Sequence, residues 1–151
     1  MRVAIFIGLP GSGKTTFFRR RFAGTHAHIS RDNFPNARNP WRRQAALIEE
    51  ALIAGRDVVV DNTNLRIADR AAISEVARRH GAGVVAYFFE PDVAACRARN
   101  RGREGRARVP DVAIYAGAKR LEPPVASEGF DRLFRVRARD DMEFEVTPQA
   151  E

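Results

Sequence analysis

The stretch Gly8-Leu9-Pro10-Gly11-Ser12-Gly13-Lys14-Thr15 decides the fold of this 151-residue chain. It has the spacing G-x-x-x-x-G-K-[ST] and follows the apolar run VAIFI at residues 3–7, which indicates a buried strand. Glycines allow a tight turn whose N–H groups point at phosphate oxygens, while a lysine adds positive charge and a threonine hydroxyl can ligate Mg²⁺. Residues 16–22 continue as a helix whose positive end faces the same anion. The stretch therefore predicts a nucleoside triphosphate bound by Gly8, Pro10, Gly11, Ser12, Gly13, Lys14, Thr15 and Thr16.

The length predicts one domain over residues 1–151, large enough to bury roughly 68–70% of its unfolded surface. The longest apolar stretch, residues 81–89, falls well short of the ~20 residues that a membrane span requires. Met1 leads almost directly into the first strand, so we expect no signal peptide. The single cysteine, Cys96, excludes an internal disulfide and fits a reducing compartment. Together these features predict a cytoplasmic protein.

The net charge of +7 favours polyanionic partners such as nucleic acid. Nearly all of the positive charge is arginine, since Lys14 and Lys119 are the only lysines. Codon bias in a GC-rich genome would produce the same excess, so the charge alone supports a nucleic-acid partner only weakly.

Alternating strand-like and helical runs predict an α/β fold: a doubly wound, five-stranded, mostly parallel sheet with helices on both faces. Residues 144–146 are a candidate for an additional antiparallel edge strand. The expected strands are residues 3–7, 26–29, 58–60, 84–89 and 133–136. The expected helices are residues 16–22, 41–54, 64–80 with Asn64 as N-cap, 92–100 and 111–121.

Two aspartates follow predicted strands, and in such sheets the ligand lies beyond the carboxyl ends of the strands. Asp61 follows three valines, where a carboxylate would help to hold Mg²⁺, although capping of the next turn is an equally good interpretation. Asp32 could accept the proton of an attacking hydroxyl, because phosphoryl transfer needs mainly positioning and charge neutralisation. Taken alone, Arg31-Asp32 is only a dipeptide, for which capping is the commoner role.

Arginines are concentrated between residues 97 and 108, at positions 97, 99, 101, 103, 106 and 108. A run of charge is usually a solvated helix face. Here Gly102 and Gly105 break the helix at the rim of the crevice. The pattern therefore predicts an arginine-rich lid at residues 101–109 that brings guanidinium groups onto the transferring phosphate.

These motifs together resemble the 5′-hydroxyl polynucleotide kinases, which are P-loop kinases. The landmarks follow the family order: the loop at residues 8–15, Arg31-Asp32, Asp61-Asn62-Thr63-Asn64, Arg99-Asn100 with the lid, and Glu128-Gly129-Phe130. The resemblance covers essentially the whole chain, as a kinase module without the phosphatase often fused to it. The loop is specific for nucleotide but not for the acceptor.

The resemblance implies ATP- and Mg²⁺-dependent phosphorylation of the 5′-OH ends of DNA or RNA. It assigns catalysis to Lys14, Asp32 and Arg103, metal binding to Thr15 and Asp61, nucleotide binding to Arg99, and acceptor binding to Arg31, Asp61, Asn62 and Asn64. Arg99, Arg101 and Arg106 are further candidates for the catalytic lid arginine. Viral relatives have an acceptor-binding arginine where this chain has Phe34-Pro35, a role that Arg38, Arg42 or Arg43 could take.

Several interpretations stay open at this stage. Trp41 and Phe34 could each stack on a base or simply pack. His26, His28 and His80 lack a metal-ligand spacing, so we assign them no catalytic role. A small-molecule or sugar-nucleotide kinase, and a non-catalytic nucleotide-dependent nucleic-acid-binding module, are the alternatives. Steep salt dependence of acceptor binding would favour a nucleic acid.

Overall fold

The computed structural model describes residues 1–105 and 108–149. Its six-stranded sheet has the order β2-β3-β1-β4-β5-β6, and every neighbouring pair is parallel except β5 and β6. The strands are β1 (Arg2–Ile7), β2 (His26–Ile29), β3 (Asp57–Asp61), β4 (Gly83–Phe89), β5 (Arg132–Ala138) and β6 (Phe144–Pro148). The helices are α1 (Lys14–Arg21), α2 (Pro40–Ile53), α3 (Ile67–Arg79), α4 (Val93–Arg101) and α5 (Asp111–Arg120). Within the described ranges, no helix has the length and apolar character needed to cross a bilayer.

The predicted α/β fold is confirmed, with six strands instead of five. The candidate edge strand forms because Phe144 turns inward and stacks edge-on against Phe17 of α1, with 5.0 Å between ring centroids. Arg21 of α1 also donates to the Phe144 carbonyl at 2.9 Å. These contacts bind β6 to the helix that follows the glycine-rich loop, so the sixth strand is part of the site's framework.

The central strand β1 is buried on both faces because it alternates between two apolar layers. Val3, Ile5 and Ile7 belong to the layer that also contains apolar residues of α2 and α3. Phe6 points the other way into an aromatic layer, where its ring lies 5.5 Å from that of Phe17. Each such aromatic pair contributes about 0.5–1.5 kcal/mol beyond its buried area. This packing fixes α1, and therefore the loop before it, against the sheet.

The expectation that Asn64 caps α3 is wrong. The helix begins three residues later, at Ile67, with Arg66 as its N-cap. Asn64 has a φ of +46°, a left-handed conformation that asparagine tolerates better than most residues. Its buried amide donates to the carbonyls of Phe6 at 2.8 Å and Val60 at 3.4 Å. The side chain therefore joins β1 to β3 beneath the glycine-rich loop.

A fully buried arginine ties α3 to the segment before β5. The Arg70 guanidinium donates to both carboxylate oxygens of Glu128, at 2.8 and 2.9 Å. It also donates to the carbonyls of Asn64 at 2.9 Å and Glu122 at 3.0 Å. A buried charge is tolerated when it is paired and hydrogen-bonded in this way.

We predict that Glu128→Gln destabilises the fold by about 3–5 kcal/mol, because it leaves the Arg70 charge buried without its counterion. Urea denaturation followed by circular dichroism measures the free energy of unfolding. Glu90→Gln is the matched control: its partner Arg135 lies at 2.9 Å, but both side chains are more than a third exposed, so a decrease below about 1 kcal/mol is expected. Equal decreases in the two variants would contradict the role given to Arg70.

Candidate active site

The glycine-rich loop has a shape that only glycine permits at two points. Gly11 and Gly13 have φ values of +81° and +94°. A Cβ atom on Gly11 would lie 2.5 Å from the carbonyl oxygen of Cys96 in α4. A Cβ on Gly8 would lie 2.9 Å from that of Phe89. The backbone of the loop therefore packs closely against α4 and β4. The loop ends at the N–H groups of the first turn of α1.

Lys14 is held at the centre of this loop. Its ammonium group donates to the carbonyls of Gly8 at 3.0 Å and Leu9 at 2.8 Å, and to the Ser12 hydroxyl at 3.3 Å. Burial lowers the pKa of Lys14 from 10.5 to about 8. The charges of Asp61 and Asp32 act to raise this pKa and that of Arg103 acts to lower it, so all three side chains influence the ammonium group electrostatically.

Asp61, the last residue of β3, lies beside the first turn of α1. Its Oδ2 accepts a hydrogen bond from the Thr15 hydroxyl at 2.9 Å and lies 2.8 Å from Nε2 of His28. In the described structure both hydrogen bonds of the Asp61 carboxylate involve side chains, so it does not cap the following turn. Hydroxyl and carboxylate oxygens are the ligands that Mg²⁺ prefers, so this pair fits that ion. Among the described residues no group of three or more His, Cys, Asp or Glu could hold a metal ion.

A cavity of about 670 Å³ opens in front of the loop. The structure brings most of the predicted site residues to its wall, from four separate segments of the chain. They are Pro10, Gly11, Lys14, Thr15 and Thr16 from the loop and α1, Arg31 and Asp32 after β2, Asp61 and Asn62 at the end of β3, and Arg103 from the lid.

Other predicted site residues lie outside this cavity. Arg99 is behind the loop, where its guanidinium donates to the Gly11 carbonyl at 3.1 Å. Arg99 and Ser12 line a second cavity of about 530 Å³. Gly8 and Gly13 shape the loop through their backbone, with the side chain of Phe144 packed close to Gly13. Asn64 is 1% exposed beneath the loop, so the structure does not bring its side chain to the cavity.

Asp32 is positioned by a 3₁₀ turn at Arg31–Asn33. The Ser30 hydroxyl accepts from the Asp32 N–H at 3.3 Å, and Oδ1 of Asn62 accepts from the Arg31 N–H at 2.9 Å. Asn62 in turn donates to the buried Gln44 at 2.7 Å. The turn is thereby attached to the end of β3 and to α2, which holds the exposed Asp32 carboxylate at the cavity.

Trp41, whose role the sequence leaves open, lies next to Arg31. The Arg31 guanidinium sits 4.3 Å from the centre of the Trp41 ring, a cation–π contact. Trp41 is 41% exposed at the start of α2. Trp41 therefore fixes an arginine at the cavity wall from outside the cavity.

The two ends of the predicted lid are joined at its base. The Asn100 amide donates to the Val109 carbonyl at 2.7 Å and accepts from the Val109 N–H at 2.9 Å. Arg97 and Asp111 form an ion pair at 3.2 Å on the same side. In the segment between Asn100 and Val109, Arg103 lines the cavity, whereas Arg101 is exposed. Arg106, another candidate for the catalytic lid arginine, lies outside the described residues.

Sequence reasoning missed the roles of two connecting residues, Arg70 and His28. Each acts through a partner distant in the chain, Glu128 for Arg70 and Asp61 for His28. Their spacing to the motifs carries no signal of it. Only the alternation of His26 and His28 along β2 indicated that the two side chains share one face of the strand.

The sheet order, the glycine-rich loop and the carboxylate at the end of β3 define a P-loop nucleotide-binding domain of the kinase type. The model of the AAA domain family AAA_33 matches residues 3–124, and the chain belongs to that family. The family and the fold together make this protein a P-loop kinase-type phosphotransferase.

Solved structures with the same fold differ in what they act on. A sugar kinase from Janibacter sp. HTCC2649 is 18% identical with a TM-score of 0.69, over 91% of this chain and 85% of that one. Kti12 from Chaetomium thermophilum, in complex with ADP-AlF3, is 18% identical with a TM-score of 0.68, over 93% and 92%. A fungal RNA kinase is 18% identical with a TM-score of 0.67, over 90% of this chain but 38% of that longer one. At such identities the likeness shows the fold alone.

We predict that nucleotide binding takes up a proton at pH 8.5, because an anionic phosphate restores the charge that burial partly removes from Lys14. Affinity should fall as the pH rises through about 8, since the free protein then increasingly holds a neutral lysine. Calorimetry in two buffers of different ionisation enthalpy measures the uptake. Lys14→Arg is the control, because its guanidinium stays charged and should take up no proton. Wild-type binding at pH 8.5 without proton uptake would contradict the prediction.

Proposed function

We propose that this protein is a polynucleotide 5′-hydroxyl kinase, which transfers the γ-phosphate of ATP to the 5′-OH of a DNA or RNA end. One observation carries the proposal: the Asp32 carboxylate lines the same cavity as Lys14, Thr15 and Arg103. A hydroxyl placed in that cavity would lie between a proton acceptor and a phosphate-binding loop. This is the arrangement that phosphoryl transfer to an alcohol requires.

The nucleotide side of the site is assigned to the loop and its surroundings. The loop N–H groups and Lys14 would bind the phosphates, and the cavity lined by Ser12 and Arg99 would receive the nucleoside. Thr15 and Asp61 would hold Mg²⁺, which neutralises charge on the phosphates when it is bound. Asp61 already accepts the hydrogen bond of the Thr15 hydroxyl, which leaves the lone pairs of that hydroxyl for a cation.

In the transfer step the oxygen of the 5′-OH bonds to the γ-phosphorus, and Asp32 takes the proton of that hydroxyl. The bond from that phosphorus to the bridging oxygen breaks, and ADP leaves with that oxygen. Lys14 and Arg103, which both line the cavity, stabilise the negative charge on the transferring group. The 3₁₀ turn keeps the proton acceptor in place through the Asn62 contact.

The acceptor side of the cavity supports a nucleic acid. A further cavity of about 740 Å³ adjoins the first, and the two share Phe34 and Pro35 in their walls. Its lining includes Arg38, Arg42 and Arg43. In the described part of the chain none of these three has a carboxylate partner. Their charge is therefore available to the phosphates of a strand leading away from Asp32.

A kinase acting on a sugar or another small molecule is the second candidate. A cavity of about 670 Å³ by itself suits a small ligand, and the same fold occurs in the Janibacter sugar kinase. The two candidates use the same nucleotide site and the same proton acceptor. They differ in whether the arginines of residues 38–43 contribute to acceptor binding.

We predict that γ-labelled ATP with Mg²⁺ labels oligonucleotides that carry a 5′-OH but not matched ones that carry a 5′-phosphate. Asp32→Asn should lower the transfer rate at least about 100-fold, because the variant has no proton acceptor at that position, with ATP affinity retained. Asp69→Asn, the same change at the start of α3 and outside both cavities, is the control and should keep the wild-type rate. Full activity of Asp32→Asn would remove Asp32 from the mechanism. Label on a sugar but on no oligonucleotide would favour the second candidate.

We predict that the double variant Arg42→Gln/Arg43→Gln weakens oligonucleotide binding. The slope of log affinity against log salt should fall by about 1 for each phosphate that the two arginines no longer neutralise. ATP affinity should not change, since both residues lie away from the loop. Arg56→Gln/Arg79→Gln removes the same charge near the amino ends of β3 and β4, at the other end of the strands from Asp61, and should leave the slope unaltered. An acceptor affinity that is insensitive to salt in the wild type would contradict the nucleic-acid assignment.

A further inference from the structure

His28 connects β2 to the carboxylate of Asp61. Its Nε2 lies 2.8 Å from Oδ2 of Asp61, which is almost completely buried. Its ring stacks on Phe18 of α1, with 4.1 Å between centroids and 19° between planes. The stack fixes the plane of the imidazole and aims Nε2 at the carboxylate, so the contact is held from two sides.

The same oxygen of Asp61 receives a second hydrogen bond, from the Thr15 hydroxyl at 2.9 Å. Two donors from different elements, α1 and β2, restrict rotation of the carboxylate about its Cβ–Cγ bond. In the described structure both hydrogen bonds of Asp61 fall on Oδ2. Oδ1 is therefore left to other ligands in a defined orientation.

We propose that His28 is a positioning residue that holds the Asp61 carboxylate in the orientation needed for metal-assisted nucleotide binding. The inference rests on the proposed Mg²⁺ site of Thr15 and Asp61 and extends it to a residue outside the motifs. Groups that orient metal ligands typically change metal affinity 10- to 100-fold when they are removed. His28 acts here as an N–H donor through Nε2, the tautomer that a carboxylate acceptor requires.

The neighbouring histidine of β2 shows that this role belongs to one position. His26 lies on the same face of the strand, two residues earlier, and packs edge-on against Phe22 at 4.9 Å. Its Nδ1 contacts the Thr25 hydroxyl at 2.7 Å. Each histidine thus packs against a phenylalanine, His28 against Phe18 of α1 and His26 against Phe22, the C-cap residue of that helix. Of these two histidines, His28 is the one that contacts Asp61, which makes His26 a matched control.

The experiment measures the affinity of a non-hydrolysable ATP analogue by calorimetry, with and without Mg²⁺. The ratio of the two affinities is the metal enhancement. His28→Phe preserves the stack on Phe18 but removes the donor, so the enhancement should fall about 10-fold while the metal-free affinity stays within about twofold of wild type. His28→Gln, which retains an N–H donor, should recover part of the enhancement. His26→Phe should retain the wild-type enhancement.

The outcomes separate the failure of this inference from that of the proposed site. A wild-type enhancement that persists in His28→Phe would overturn the role of His28 alone. Equal decreases in affinity with and without metal would also overturn it, since they indicate only a structural effect. A wild type without any enhancement would remove the metal site and the role of His28 together. No acceptor is present, so the result does not depend on which alcohol is phosphorylated.

Discussion

Burial of the Lys14 ammonium beneath its own loop is the constraint on which the site depends. A buried charge is costly unless its donors are satisfied, and here the acceptors are Gly8, Leu9 and Ser12. The loop must curl around the ammonium to present them, which requires left-handed backbone at Gly11 and brings that residue against the Cys96 carbonyl. The glycine spacing, the lysine and the close approach of α4 are therefore one structural requirement.

The elements with strong local signals could be predicted from the sequence. Continuous apolar runs located β1, β3 and β4, and Gly55 and Gly81 marked the ends of α2 and α3 to within two residues. The wrong N-cap at Asn64 has a physical cause. Asparagine suits both a cap and a left-handed turn, and its hydrogen bond to Phe6, 58 residues away, selects the turn. Long-range contacts of α1 similarly determine that residues 144–148 form a sixth strand.

The site also has one part that local sequence signals predict and another that depends on contacts between separate segments. The phosphate-binding loop lies in eight consecutive residues, so the motif alone indicated both the loop and the hydroxyl proposed to ligate the metal. The side proposed for the acceptor depends on pairs that no local pattern encodes: Asn62 with the Arg31 backbone, the Arg31 guanidinium with Trp41, and Asn100 with Val109. Sequence reasoning placed Asp32 near the cavity through the rule for parallel sheets. It could not show what holds the aspartate there.

This division explains how one fold accommodates different acceptors. The nucleotide is bound largely by backbone groups whose positions follow from the sheet and α1, so relatives of low identity can share them. In the proposed function the acceptor would meet side chains on the turn after β2, the start of α2 and the lid, where substitution leaves the core intact. Likeness to a sugar kinase and to an RNA kinase is then the expected result of one framework carrying two acceptor surfaces. In this chain the surface proposed for the acceptor carries Arg38, Arg42 and Arg43. Since no carboxylate of the described residues neutralises them, their charge is the physical argument for a polyanion.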